Sequence, residues 1–295
     1  MTVITSLGLQ NQPQDKLPDK TLHALPGAVG VLSATAPVHD GVADPFATDE
    51  QSLRVQLAAS YRLIAHFGLD DLIYNHISIR VPGEPGHFLI NPYGLLFSEM
   101  TASCFVKIDH EGRKVDDSPW QVNQAGFVIH SAVHAGRADA HCVLHTHSEA
   151  ATAICSLQGG LLPLSQFAMR FQGHTGFHDY EGVALELGER ESIVRDLGEH
   201  HTLILRNHGL LTVGRTIAEA FILSYYFERA ARVQLMAQSA VGVGSGATLH
   251  LPAPEISALA SKQFNDMAGD ILPPGTREWP AFIRLLDKLD DSYRD

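Results

Sequence analysis

With 295 residues, 45% of them apolar, and a mean hydropathy near zero, the chain can bury a sizeable core and suits one large domain with tails. Its formal net charge of -12, with no run of Lys or Arg, argues against a nucleic-acid or anionic-membrane surface, since either needs a clustered cationic face. The opening MTVITSLGLQNQPQDK lacks the basic-then-apolar order of a secretory signal, and no apolar stretch is long enough to span a bilayer, so a cytoplasmic protein is expected.

Residues 1–47 mix Pro, Gly, Asp, Gln and Thr without a sustained period and read as an extended or flexible arm, one that can wrap a neighbouring subunit. Thr48 has the character of an N-cap, with Asp49 and Glu50 in the first turn of a helix that carries Leu53, Leu57, Tyr61, Ile64 and Ala65 and stops near Gly68. Ile77 to Val81 alternates as a half-buried strand. Phe88 to Ile90 follows across a Pro-Gly-rich turn, and Val106 to Asp109 continues the pattern.

From Asn123 to His134 the spacing is helical, ahead of the apolar run Cys142-Val143-Leu144, which leads directly into His145-Thr146-His147. Ser148 to Leu157 is again helical, while Phe167 to Gly182 is too irregular to assign. Thr202 to Arg206 and Leu210 to Val213 are strands around the turn Asn207-His208-Gly209, and a long helix runs from about Thr216 to Gln238.

The domain boundaries follow: a main domain over 48–240, then 241–295 as a Gly-Ser-rich linker and a helical extension of one or two surface helices. Strands and helices alternate irregularly around short connections, which predicts an α/β fold, a three-layer α/β/α sandwich around a central mixed or antiparallel sheet. The three cysteines Cys104, Cys142 and Cys155 are an odd number without zinc-ribbon spacing, lie among apolar neighbours, and are expected to be reduced.

Residues two apart on a strand face the same side at about 6.5 to 7 Å, so His145 and His147 can both place a ring nitrogen about 2.0 to 2.1 Å from one ion. His208 offers a third imidazole at a strand end, and Gly209 beside it leaves room for a close backbone approach or a left-handed turn. Three neutral imidazoles with an open position is the pattern of a catalytic zinc site, whereas structural sites are closed by four ligands. In a chain with 17 histidines an H-x-H is common by itself, so the spacing leaves a metal site and an ordinary strand end both open.

The stretch Arg137-Ala138-Asp139-Ala140-His141-Cys142-Val143-Leu144-His145-Thr146-His147, with Arg206-Asn207-His208-Gly209-Leu210 following, resembles the class II aldolase/adducin family over roughly residues 50 to 240. The resemblance implies a class II aldolase-like α/β/α fold and one divalent metal ion on His145, His147 and His208, zinc first, with manganese, cobalt or iron as alternatives. It also implies a homo-oligomer, a tetramer favoured, with active sites near subunit interfaces, and a small-molecule substrate. Sugar-phosphate aldolases of this family place a catalytic Glu in the helix before the H-x-H strand, where this chain has Gly126, so that general base is missing. Their phosphate-cradling loops correspond to Tyr74-Asn75-His76, Asn91-Pro92-Tyr93-Gly94 and Gln124-Ala125. Asn75, His76, Asn91, Gly94 and Gln124 are thereby the candidate substrate contacts, and a carboxylate or phenol suits the altered pocket better than a phosphate.

For proton transfer the nearest candidates in sequence are Glu149, His174, His178, Asp179, Tyr180 and Glu181. His178 is the catalytic candidate, as a fourth ligand or acid/base, with a partly exposed loop histidine of no catalytic duty as the other reading. His130 and His134 are one helical turn apart and can share a metal, although the same helix must bury Phe127 and Val133. Three functions compete: a metal-dependent lyase performing retro-aldol cleavage or decarboxylation of a small non-phosphorylated hydroxy/keto or aromatic acid, a non-haem iron oxygenase acting on an aryl-keto acid, and a non-enzymatic adducin-like interaction module.

Overall fold

The structure is a computed structural model that describes residues 44–182, 188–242, 244–265 and 272–295. The arm expected over 1–47 lies outside the described residues apart from its last four. The first helix, α1 (Glu50–His66), is capped by Asp49 and not by Thr48: the Asp49 carboxylate accepts from the Ser52 amide at 2.8 Å, satisfying a first-turn donor that Thr48 stands one residue too early to reach.

Seven strands follow in the sheet order β3-β2-β1-β4-β7-β6-β5. They are β1 (His76–Arg80), β2 (His87–Ile90), β3 (Val106–Asp109), β4 (Cys142–Thr146), β5 (Thr175–His178), β6 (Thr202–Leu205) and β7 (Gly209–Gly214). Every pairing is antiparallel except β5 with β6, so the sheet is mixed. The helices between and after them are α2 (Gln124–Gly136), α3 (Glu149–Cys155), α4 (Gln166–Met169), α5 (Glu189–Leu197), α6 (Ile217–Ala240), α7 (Pro254–Asn265) and α8 (Trp279–Leu289).

Strand alternation sorts the side chains into two layers. Ile77, Ile79, Cys142 and Leu144 join α1, the start of α6 and α8 on one face, while Val143, Leu211 and Val213 pack with Ile129 and Val133 of α2 and Ile193 and Leu197 of α5 on the other. The result is the expected α/β/α sandwich. Of the expected surface helices α7 is mostly exposed, but α8 departs from the expectation: its Trp279, Ile283 and Leu286, spaced i, i+4 and i+7, and Tyr293 beyond it are buried in the α1 core. The irregular stretch 167–182 holds the edge strand β5, and α5 is a helix that the sequence reading passes over. No helix of the described residues is long and apolar enough to cross a membrane.

Candidate metal centre

β4 and β7 pair with Thr146 opposite Leu210, so the end of β4 and the start of β7 lie side by side. His145 is the fourth residue of β4 and His147 follows its end. His208 sits in the tight turn before β7, which begins at Gly209. Asn207 takes the left-handed conformation at φ 56°, so the turn's strain falls on Asn, the non-glycine residue type that tolerates it best. Gly209 serves a different end, a close approach: a Cβ there would lie 2.5 Å from the Thr146 carbonyl oxygen, 3.0 Å from His147 Cδ2 and 3.3 Å from His145 Cε1. The three rings meet with centroid separations of 4.7, 4.7 and 4.9 Å, and one nitrogen of each lies within 4.8 Å of the others.

Two of these rings are oriented from behind. His145 Nδ1–H donates to the Leu210 carbonyl at 2.9 Å, and His147 Nδ1–H donates to the Asp71 carboxylate at 2.9 Å. Both acceptors engage Nδ1, so each ring turns its Nε2 edge inward. Those two Nε2 atoms stand 2.9 Å apart. At that distance two imidazole nitrogens either share one proton or hold a cation between them. Two imidazole nitrogens on a tetrahedral zinc stand roughly 3.3 Å apart, so small ring movements admit the ion. Burial holds His145 well below the usual histidine pKa, aided by His208 and His147, and brings His208 down to about 4, so both are neutral and able to ligate at pH 7. The residues therefore fit a divalent cation, with His208 completing a three-imidazole set.

Around the triad lies a cavity of about 250 Å³. His76 forms part of its wall, its ring stacked on His145 at a centroid distance of 5.6 Å, and Tyr74 and Tyr180 stand at its half-exposed rim, Tyr180 with its ring 6.4 Å from His208. Asp71, Asn123 and Ile129 complete its main surfaces, and no Lys or Arg lines it among the described residues.

The other sequence candidates lie elsewhere. Asn75 and Asn91 share strand parity with Ile77 and Leu89 and so belong to the α1 face: Tyr61 Oη donates to Asn91 at 2.9 Å, and Asn75 is fully buried. Gly94 is in an exposed turn at φ 108°, and Gln124 is the exposed first residue of α2. His178 is neither exposed nor in a loop: it ends β5, is 3% accessible, and its Nδ1–H donates to Asp196 of α5 at 2.8 Å, outside the triad cavity. His174 lines a different cavity with Arg170 and His201, while Glu149, Asp179 and Glu181 are exposed. His130 and His134 share no metal geometry; both hydrogen-bond to the Ser78 hydroxyl, at 2.6 and 2.7 Å. Asp71 is the residue missed, because the acidic pair Asp70-Asp71 in a loop has no ligand spacing to announce it. The buried Glu228 of α6 is also silent in sequence. It accepts from Ser148 Oγ at 2.8 Å and from the Ala151 amide at 2.9 Å, fixing the helix that follows His147.

Comparison with known proteins agrees with this geometry. Residues 55–235 match the family described as Class II Aldolase and Adducin N-terminal domain. A putative aldolase class 2 protein of Caulobacter vibrioides is 47% identical over 83% of this chain and 93% of its own length, and alpha-adducin of Rattus norvegicus is 40% identical over 88% of this chain but only 36% of its own. Among solved structures, an aldolase II superfamily protein from Pseudomonas syringae superposes with a TM-score of 0.78 at 45% identity, covering 84% of this chain and 97% of that one. An L-fuculose 1-phosphate aldolase from Glaciozyma antarctica superposes with 0.71 at 29%, covering 83% and 93%.

Proposed function

The chain belongs to the class II aldolase and adducin family, and from that premise we propose that it is a divalent-metal-dependent lyase. Its reaction on this reading is retro-aldol cleavage or decarboxylation of a small, non-phosphorylated hydroxy/keto or aromatic acid. The observation that carries the proposal is the convergence of one ring nitrogen from each of His145, His147 and His208 within 4.8 Å, the Nδ1 atoms of His145 and His147 being held by partners behind their rings.

When bound, a divalent ion supplies Lewis-acid stabilisation of the negative charge that a broken carbon–carbon bond leaves beside a carbonyl. Three neutral imidazoles favour zinc, with manganese, cobalt and iron as further occupants. The chain's own contribution is to hold the triad, exclude water from a cavity of about 250 Å³ and select the substrate by size and charge. Among the described residues the cavity carries the Asp71 carboxylate and no guanidinium or ammonium, so a phosphate dianion would depend on the ion alone for its charge, whereas a carboxylate or phenol would not overload it. Phosphorylation is thus a property of the L-fuculose 1-phosphate aldolase substrate that we do not extend to this chain. The same reading places the enzyme in the cytoplasm as a homo-oligomer, a tetramer first, which light scattering of the purified protein tests.

The direct test is elemental analysis of purified protein by plasma mass spectrometry beside the His145→Ala variant. About one zinc, manganese, cobalt or iron per chain, absent from the variant, is the expected result, and iron would move the reading to an oxygenase acting on an aryl-keto acid. No metal in either form after reconstitution would overturn the lyase and leave an adducin-like interaction module.

A further inference from the structure

Arg170 follows α4 with its guanidinium against two aromatic rings, Cζ lying 4.8 Å from the ring centroid of Tyr226 and 4.9 Å from that of Phe264. Its Nε and Nη1 are buried and have no hydrogen-bond partner among the described residues. Burial draws its pKa below the usual guanidinium value, and Tyr226 and Glu278 offset this only in part, yet a guanidinium keeps its proton at pH 7. Buried cations are ordinarily paired with a carboxylate, so a ring-packed one whose donors lack acceptors is set for an anion from outside the chain.

The guanidinium stands on the wall of a cavity of about 350 Å³, with Phe171, His174, His201, Leu223 and Phe264 around it. His201 brings a second such group, a buried Nδ1 without a hydrogen-bond partner among the described residues. The wall is held in place: Asn265 Nδ2 donates to the Arg170 carbonyl at 2.8 Å and Ser261 Oγ to the Gln172 carbonyl at 2.7 Å, so α7 fixes Phe264 against Arg170. Two carboxylates also line the cavity, and both are engaged. Asp139 pairs with Arg137 at 2.9 Å, and Glu219 accepts from the Arg215 amide at 2.8 Å. Their charge persists, so a monoanion suits this space better than a dianion.

The cavity is separate from the metal centre. Thr202, which lines it, begins β6, whereas His208 lies beyond the far end of that strand, about 10 Å of backbone away. Among the described residues none lines both cavities.

We propose that this cavity is a binding site for a small monocarboxylate with an apolar body. The planar fork of Arg170 takes the carboxylate, His201 Nδ1–H is a further donor, and Phe171, Leu223 and Phe264 hold the body. The site is independent of the lyase reading.

The probe is benzoate, titrated calorimetrically into the full-length protein beside its uncharged isostere benzamide and beside inorganic phosphate. Benzoate is expected to bind once per chain, and benzamide at least about tenfold more weakly for want of charge-assisted hydrogen bonds. Phosphate should bind more weakly than benzoate. In Arg170→Met, whose side chain still packs against Tyr226 and Phe264, benzoate affinity should fall at least about tenfold. In His201→Phe it should fall by less, and in His145→Ala, which disables the metal centre, it should be unchanged. The benzamide comparison needs no substitution and so decides the matter even where Arg170→Met misfolds. Absence of benzoate binding at millimolar concentrations, equal affinity for benzoate and benzamide, or full affinity in folded Arg170→Met would each overturn the proposal. Loss of benzoate binding in His145→Ala but not in Arg170→Met would overturn it by placing the carboxylate on the metal. Phosphate binding tighter than benzoate binding would overturn the ligand class.

Discussion

The Asp71 carboxylate accepts the Nδ1 hydrogen of His147 at 2.9 Å across 76 residues of sequence, tying the loop after α1 to the end of β4. That bond decides which nitrogen of His147 faces the cavity and raises its basicity as a ligand. Replacing Asp71 with Ala is expected to weaken metal affinity roughly 10- to 100-fold without abolishing it. The side chain is partly exposed, so little stability should be lost. Competition against a chromophoric chelator measures the effect, and an affinity equal to wild type would show that the bond does not orient the ring.

Gly209 sets how closely β4 and β7 approach at the histidine triad. The Cβ of Gly209→Ala would press into the Thr146 carbonyl, which is backbone and cannot swing aside, and against His147 and His145. We expect a variant that folds but binds metal at least about tenfold more weakly, because a shift of a few tenths of an ångström at a tetrahedral site is costly. Circular dichroism checks the fold and chelator competition the metal. Unaltered binding would mean that β4 and β7 can separate without disturbing the triad.

The three histidines of the candidate metal centre are legible in sequence because each follows an apolar run, Cys142 to Leu144 for the first pair and Thr202 to Leu205 for the third, and such runs are strands whatever surrounds them. The face of Asn75 and Asn91 was legible too, since both share parity with Ile77 and Leu89, which need a core. The resemblance to phosphate-binding loops drew them toward the cavity where alternation sends them away. The edge strand β5 was not legible: Thr-Gly-Phe-His carries no alternation, and Gly176 pairs there only because α5 packs against the strand so closely that a Cβ would strike the Asp196 carbonyl. Partners such as Asp71 and Glu228 act through tertiary proximity alone. The apolar stripe Trp279, Ile283 and Leu286 had a readable helical period, but nothing in sequence distinguishes a stripe that joins the main core from one on a surface helix.

Glu228 is a charged residue 3% accessible at the centre of a hydrogen-bond set: its Oε2 accepts from Ser148 and Ala151 and its Oε1 from Arg232 Nε at 2.7 Å. Removing it strands a buried hydroxyl and an amide at the start of α3. Glu228→Ala should therefore cost about 2 to 4 kcal/mol in urea denaturation, and Glu228→Gln less, since the amide oxygen still accepts. A cost below about 0.5 kcal/mol for the alanine variant would show that solvent replaces the lost acceptor.

Acid sensitivity is the last consequence, and its source lies behind His76. His134 Nδ1–H donates to the Ala140 carbonyl at 3.1 Å, so its Nε2 takes the Ser78 hydroxyl hydrogen and His130 Nδ1–H donates to that same oxygen. Burial, with Arg80 beside it, brings His134 down from 6.5 to about 3, and burial also holds His130 well below its usual value. Above pH 6.5 His134 is neutral in folded and unfolded chains alike and contributes no pH dependence. Between 6.5 and about 3 the unfolded chain takes up the proton and the folded chain does not, so stability falls as pH falls, by about 1.4 kcal/mol per pH unit from this one residue. Urea midpoints measured in chelator, to remove the metal's own proton linkage, should drop between pH 7 and pH 5 by about 2 kcal/mol on account of His134. In His134→Gln the dependence should be shallower by that amount, whatever the variant's absolute stability. A midpoint flat across this range in the wild type would mean that the Ser78 network opens to admit a proton, because only a rearranged core could charge His134 without penalty.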